Sequence, residues 1–138
     1  MSKKVLIISS SLRAGSNSEI LARECEKGAK AAGHEVEYLS LKGKDIRFCI
    51  GQLKTLLDRL NPLYAADYAF REIYMIATAA EDEETTFDKA YHGLQGWVDC
   101  FEKVELKGIV AGGGIDAAHA AISHDDVMKK AYRLGLEL

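Results

Sequence analysis

Hydroxyl, amide and guanidinium side chains are concentrated in one short segment near the amino terminus, at Ser11, Arg13, Ser16, Asn17 and Ser18. Serine and asparagine can donate short hydrogen bonds to an anion, and an arginine guanidinium can hold a phosphate through two parallel bonds. The segment contains neither G-x-G-x-x-G nor G-x-x-x-x-G-K-[ST], so it predicts neither a dinucleotide turn nor a nucleoside triphosphate loop. Its composition suits a single terminal phosphate. The alternative is that the small polar residues only cap a helix while Arg13 is solvated.

The elements around this polar segment favour the phosphate. Val5 to Ile8 is an unbroken aliphatic run, which is typical of a strand buried on both faces in a parallel sheet. The pattern that follows predicts a helix from about Ser18 to Ala32 and a second strand over 34–41. The N–H groups of a first helical turn lack partners within the helix, and the helix dipole favours an anion there.

The remaining pattern predicts a helix over 52–60, a strand over 71–79, a helix over 85–102, a strand over 106–111 and a last helix after Ser123. Thr78, Ala79 and Ala80 lie where the strand over 71–79 ends. Ligands in open α/β sheets bind outside the carboxyl ends of the strands, and small residues let the backbone approach a flat ring. We therefore expect a second ligand contact at Thr78–Ala80. An ordinary strand-to-helix turn is the equally weighted alternative.

The segment S-S-L-R-A-G-S-N-S, after an amino-terminal V-L-I-I-S strand, resembles the FMN phosphate loop of the flavodoxin-like NAD(P)H-dependent FMN reductase family. That family includes the iron–sulfur flavoproteins and related quinone reductases. A second stretch, Gly51 to Arg59, resembles the family's G-x-x-K-x-x-x-D-R helix. The resemblance implies that FMN is the cofactor, with its phosphate at the five polar residues named above and its ring near Thr78–Ala80.

The resemblance also implies the chemistry and the assembly. It predicts an oxidoreductase that takes electrons from NAD(P)H and passes them to a quinone, free flavin or similar small acceptor, as a homodimer or homotetramer. No catalytic side chain is expected, because the flavin carries the redox chemistry. Two alternatives stay open: a non-enzymatic electron carrier like flavodoxin, and a phosphate-binding α/β domain of another class. The arginine in the loop and the slight acidic excess favour the reductase over the carrier.

The predicted fold is a doubly wound, flavodoxin-like α/β domain with strand order 2-1-3-4-5, but its alternation fails after the second strand. The apolar stretch Ile46 to Ile50 follows that strand after only about four residues, whereas a parallel crossover needs roughly a dozen or more. One helix and the central third strand are therefore absent from the pattern. We expect the corresponding segment to be missing from the sequence near Ile50–Gly51.

Composition excludes several other classes of protein. At 138 residues we expect one domain, 1–138, and a net charge of −3 with scattered lysines and arginines does not favour nucleic acid. No apolar run approaches the ~20 residues of a membrane span. The three cysteines, Cys25, Cys49 and Cys100, are odd in number and far apart, which indicates a reducing cytoplasm.

No metal site is predicted. The four histidines do not have the spacing of metal ligands. The acidic run Glu81–Glu84 could suggest a metal, but such a run is more often solvated and favours a helix N-terminus electrostatically. Some relatives bind an iron–sulfur centre through a cysteine cluster at the position of Cys49, but this sequence has no C-x-x-C there.

Overall fold

The computed structural model describes residues 1–44 and 49–138, and for residues 49–52 it describes the backbone alone. Strands and helices alternate along the chain, with the bounds β1 Lys4–Ser9, α1 Asn17–Ala31, β2 Glu35–Ser40, α2 Cys49–Arg59, β3 Glu72–Thr78, α3 Asp88–Val98, β4 Glu105–Gly112 and α4 Asp125–Glu137. Two short 3₁₀ helices span Asn61–Ala65 and Ala120–Ser123. The predicted elements are therefore present, although α3 is shorter than the predicted helix over 85–102.

The strands form two parallel pairs rather than one sheet. In the first pair β1 lies beside β2, in register from Lys4 opposite Glu35 to Ser9 opposite Ser40. In the second pair β3 lies beside β4, with a register shift between Ile73 and Tyr74. Each pair is connected through a helix, as a parallel crossover requires. The α/β class and the parallel pairing are thus confirmed, and the described strands lie in two two-stranded sheets.

The boundary between the two sheets lies where the sequence pattern fails. β1 and β3 are not paired with each other, and none of the described residues forms a strand between them. A central third strand would occupy this position in the order 2-1-3-4-5. Helix α2 runs through Ile50 and Gly51, the point where a missing segment was predicted. The five-stranded order and the omission both stay predictions.

Burial on both faces of β1 was predicted, and for one face this is wrong. Ile7 is 8% exposed, because it packs against Ala22 and Cys25 of α1. On the opposite face Leu6 is 55% exposed and Ile8 is 37% exposed. An aliphatic strand is buried on both faces only where helices cover both faces of its sheet. Here α1 covers one face, so the alternate side chains are left in contact with solvent.

Helices α1 and α4 pack closely and carry the main core. Leu21 of α1 is fully buried in a cluster that also contains Val110, Ile115, Ala121, Val127 and Ala131. A glycine stands on each helix where the backbones meet: a Cβ on Gly28 would overlap Tyr132 O, and one on Gly135 would overlap Cys25 O. Because α1 also contacts both β1 and β3, this helix pair holds the two sheets in one body.

A separate aromatic cluster fixes α3 near the start of β3 and β4. Val98, Phe101 and Val104 are buried there, and the Phe101 ring meets Tyr64 and Trp97 edge-on at centroid distances of 4.6 and 4.7 Å. At the amino ends of the two sheets, Lys3 Nζ lies 3.0 Å from Glu72 Oε2. None of the helices that the structure describes is long and apolar enough to cross a membrane.

Candidate functional site

The polar segment forms the loop from β1 into α1, and Ser16 is the N-cap of that helix. Ser16 has an extended backbone (φ −62°, ψ 155°), and its Oγ accepts a hydrogen bond from Glu19 N–H at 3.2 Å. The Ser18 hydroxyl lies 3.4 Å from the same Oγ. The helix therefore begins at Asn17, one residue before the predicted start, because the hydroxyl of Ser16 satisfies a first-turn N–H.

Ser11 and Arg13 form the outer part of the loop. Ser11 Oγ accepts from Arg13 N–H at 3.3 Å, which is a local side-chain turn that orders the segment. Arg13 is exposed, and no carboxylate of the described residues forms an ion pair with it. Its exposed guanidinium is therefore available to bind an anion.

Gly15 connects these two parts in a conformation that presents its N–H to an acceptor. Its φ of +64° lies in the left-handed region, and its N–H donates to Glu19 Oε2 at 2.9 Å. On its other side the imidazole of His119 fills the space that a Cβ would take. A carboxylate of the chain itself thus occupies an N–H of the predicted phosphate loop.

Asn17 has a different contact set from the one its sequence position suggests. Its Nδ2 donates to Ala117 O at 2.9 Å and to Ile115 O at 3.3 Å, and its Oδ1 accepts from Ala121 N–H at 3.0 Å. Both ends of the amide are therefore used to fix the segment after β4. The side chain therefore positions the segment after β4. Only the backbone N–H of Asn17, at the start of α1, is left to bind a phosphate.

The second predicted contact, Thr78–Ala80, lies at the carboxyl end of β3 beside the same segment. Ala79 N–H donates to Gly112 O at 3.0 Å, and Ala79 O accepts from Ile115 N–H at 2.9 Å. The Ala79 N–H is therefore already bonded, and this residue could meet a flat ring only through van der Waals contact. Ala80 is exposed, and Thr78 is half-buried opposite Gly112.

One buried residue connects the two predicted contacts. The backbone of Ile115 donates to Ala79 O and accepts from Asn17 Nδ2, so the loop after β1 and the loop after β3 are both tied to the segment Gly112–Ala121. Sequence reasoning missed that segment and also missed Glu19. The pattern Ser16-x-x-Glu19 is a recognisable capping signature, so Glu19 could have been found from sequence. His119, in the left-handed region at φ +62°, gave no such signal.

The residues present fit a phosphorylated flavin at the loop after β1. The loop offers an ordered hydroxyl, an exposed guanidinium, a helix N-terminus and an N–H that already holds a carboxylate. Each of these groups stabilises a negative charge.

Comparison with known proteins bears on the same part of the chain. Residues 3–55 match the family model described as NADPH-dependent FMN reductase. No curated protein and no solved structure matches the chain. The matched residues include β1, the polar loop, α1 and β2, and they end before Thr78. The resemblance predicted from the loop is confirmed over this stretch, in which the chain is similar to the NADPH-dependent FMN reductase family.

Proposed function

We propose that this protein binds FMN at the loop between β1 and α1 and transfers electrons from NADPH to a small acceptor, such as a quinone or free flavin. The observation that carries the proposal is that loop itself. It lies within the residues that match the reductase family, and its Gly15 N–H is already directed at a carboxylate oxygen 2.9 Å away. The runner-up functions, an electron carrier and a phosphate-binding domain of another class, have no observation of their own in their favour.

The chain's own residues divide into two roles in this proposal. Ser11 and Arg13 would hold the phosphate from the loop, and Ser16 and Ser18 would hold it at the start of α1. Asn17 holds the segment after β4, and Thr78 to Ala80 border the flavin ring. When bound, FMN supplies the hydride chemistry, while the protein anchors and orients it.

The first test is whether the purified protein retains FMN. We expect flavin absorbance near ~450 nm in the protein fraction after FMN is added and the excess is removed. Steady oxidation of NADPH in the presence of added quinone or flavin should follow, and parallel titration with NADH measures the preference between the two reductants. A protein that retains FMN but does not turn over NADPH or NADH would instead be an electron carrier. A protein that retains no FMN would contradict the proposal.

A second prediction concerns Arg13. Replacing it by alanine should weaken FMN binding by about ten- to a hundredfold, because a charge-assisted hydrogen bond contributes ~1.5–3 kcal/mol. Riboflavin lacks the phosphate, so its affinity should change by less than about twofold. Flavin fluorescence titration of the apoprotein measures both affinities. Arg59→Ala, which removes the same charge from the exposed surface of α2, is the matched control and should alter neither. Equal losses for FMN and riboflavin in Arg13→Ala would contradict the phosphate role.

The proposal also includes the strand order of the sheet and the oligomeric state. Unpaired edges on β1 and β3, together with exposed Leu6 and Ile8, support a single domain, 1–138, whose complete sheet has the order 2-1-3-4-5. Those apolar side chains also favour a homodimer or homotetramer.

Cys25 and Cys100 are free thiols, and burial raises the pKa of the Cys25 thiol to about 11, so it stays protonated and unreactive at neutral pH. Free thiols suit a reducing compartment such as the cytoplasm.

A further inference from the structure

The carboxylate of Glu19 lies inside the loop to which the proposed function assigns the flavin phosphate. Its Oε2 accepts from Gly15 N–H at 2.9 Å, and its own N–H donates to Ser16 Oγ at 3.2 Å. In an ordinary capping box the third residue of the helix returns its side chain to the N-cap N–H. Here the carboxylate reaches one residue further back, to the N–H of Gly15.

The contact between Glu19 and Gly15 N–H depends on the backbone conformation of Gly15 and on the position of Glu19 in α1. Gly15 has a positive φ, and the imidazole of His119 lies where a Cβ of this residue would be. Glu19 belongs to the first turn of α1, where the helix dipole stabilises a negative charge. A bound phosphate would use the same N–H and the same dipole.

A carboxylate and a flavin phosphate cannot share this position without repulsion. A phosphate monoester carries about −1.5 to −2 charges at pH 7, and its interaction with a neighbouring carboxylate is unfavourable. Arg13 is the cation that the loop contributes, and its single charge does not balance both anions. Phosphate must therefore compete with Glu19 for Gly15 N–H.

We propose that Glu19 is an internal anion that occupies the phosphate loop when flavin is absent and that it weakens the binding of phosphorylated flavin. This inference rests on the proposed function. Its consequence is that the flavin phosphate must displace the Glu19 carboxylate from Gly15 N–H in order to bind.

The test is the substitution Glu19→Gln. Glutamine has the same length, and its carbonyl can still accept from Gly15 N–H, but it carries no charge. FMN should bind this variant about tenfold more tightly than it binds the unmodified protein, while riboflavin affinity should change by less than about twofold. Fluorescence titration of both apoproteins measures these values. Glu24→Gln removes one charge from the same helix at a residue paired with Lys27, and it should leave the ratio of FMN to riboflavin affinity unchanged.

A second measurement separates this inference from the proposed function. Inorganic phosphate should raise the melting temperature of Glu19→Gln more than that of the unmodified protein, because a ligand that binds only the folded state stabilises it. If this difference is found although neither protein binds flavin, Glu19 competes with phosphate in the loop, but the flavin function fails. An unchanged or lower FMN affinity in Glu19→Gln, with riboflavin unchanged, would overturn the inference and leave the flavin function intact. Absence of any flavin or phosphate effect in either protein would overturn both.

Discussion

Replacing Gly135 by alanine should lower the free energy of unfolding by about 3 kcal/mol, since overpacking a tight interface has this order of cost. A Cβ on Gly135 would overlap Cys25 O and would lie 2.6 Å from Ala29 N. Both are backbone atoms of α1, so they can move away only if the whole helix shifts. Urea unfolding followed by circular dichroism measures the change, with the midpoint and the slope reported separately.

Gly93→Ala is the matched control for this substitution. Gly93 lies in the middle of α3, it is exposed, and nothing lies within 4 Å of a Cβ placed there. Alanine should therefore stabilise the protein by roughly 0.5–1 kcal/mol, through the helix propensity alone. If Gly135→Ala unfolded at the same urea concentration as the unmodified protein, α1 and α4 would not be in the close contact described here.

Hydrophobic periodicity predicts most of the strands and helices, because the pattern of each one lies within its own residues. The aliphatic run after Lys4 and the stripe that contains Leu21 and Cys25 have the periods of a strand and of an amphipathic helix, and the structure contains both. The ends of α3 were less well predicted, since apolar residues such as Phe101 belong to a core cluster without being helical.

Strand pairing was predicted less well than strand position. Burial of β1 on both faces would require helices on both sides and a neighbour on each edge. Val5 to Ile8 has the composition for this, but β1 pairs with β2 alone among the described strands, and α1 covers only the face opposite Leu6 and Ile8. Pairing depends on which segments lie beside a strand, and the sequence of the strand itself does not contain that information.

In the candidate site too, local features can be predicted from the sequence and long-range contacts cannot. The positions of Ser16 and Arg13 follow from a strand, a loop and a helix that are adjacent in sequence, and the family match covers them. The partners of Asn17 are about a hundred residues away, at Ala117 and Ala121. Contacts of that separation are set by how α1 and the segment after β4 pack together, so a pattern around Asn17 cannot reveal them.

Asn17→Ala should therefore affect folding and flavin binding together. The substitution removes three hydrogen bonds and leaves the N–H of Ala121, a fully buried residue, without its acceptor. A buried unsatisfied group costs about 1–3 kcal/mol, so we expect the free energy of unfolding to fall by about 2–3 kcal/mol. Because the released segment borders both predicted contacts, FMN and riboflavin should lose affinity by similar factors. Urea unfolding and fluorescence titration of the same preparation measure the two effects.

This pair of measurements distinguishes a positioning residue from a phosphate ligand. If the Asn17 side chain bound the phosphate directly, its loss would weaken FMN alone and leave unfolding nearly unchanged. Asn61→Ala is the control, because Asn61 is exposed and its Oδ1 accepts one hydrogen bond, from Tyr64 Oη at 2.6 Å. It should cost less than about 1 kcal/mol and should not alter flavin binding. A stability loss in Asn17→Ala no larger than that of the control would show that the segment after β4 is held by other contacts.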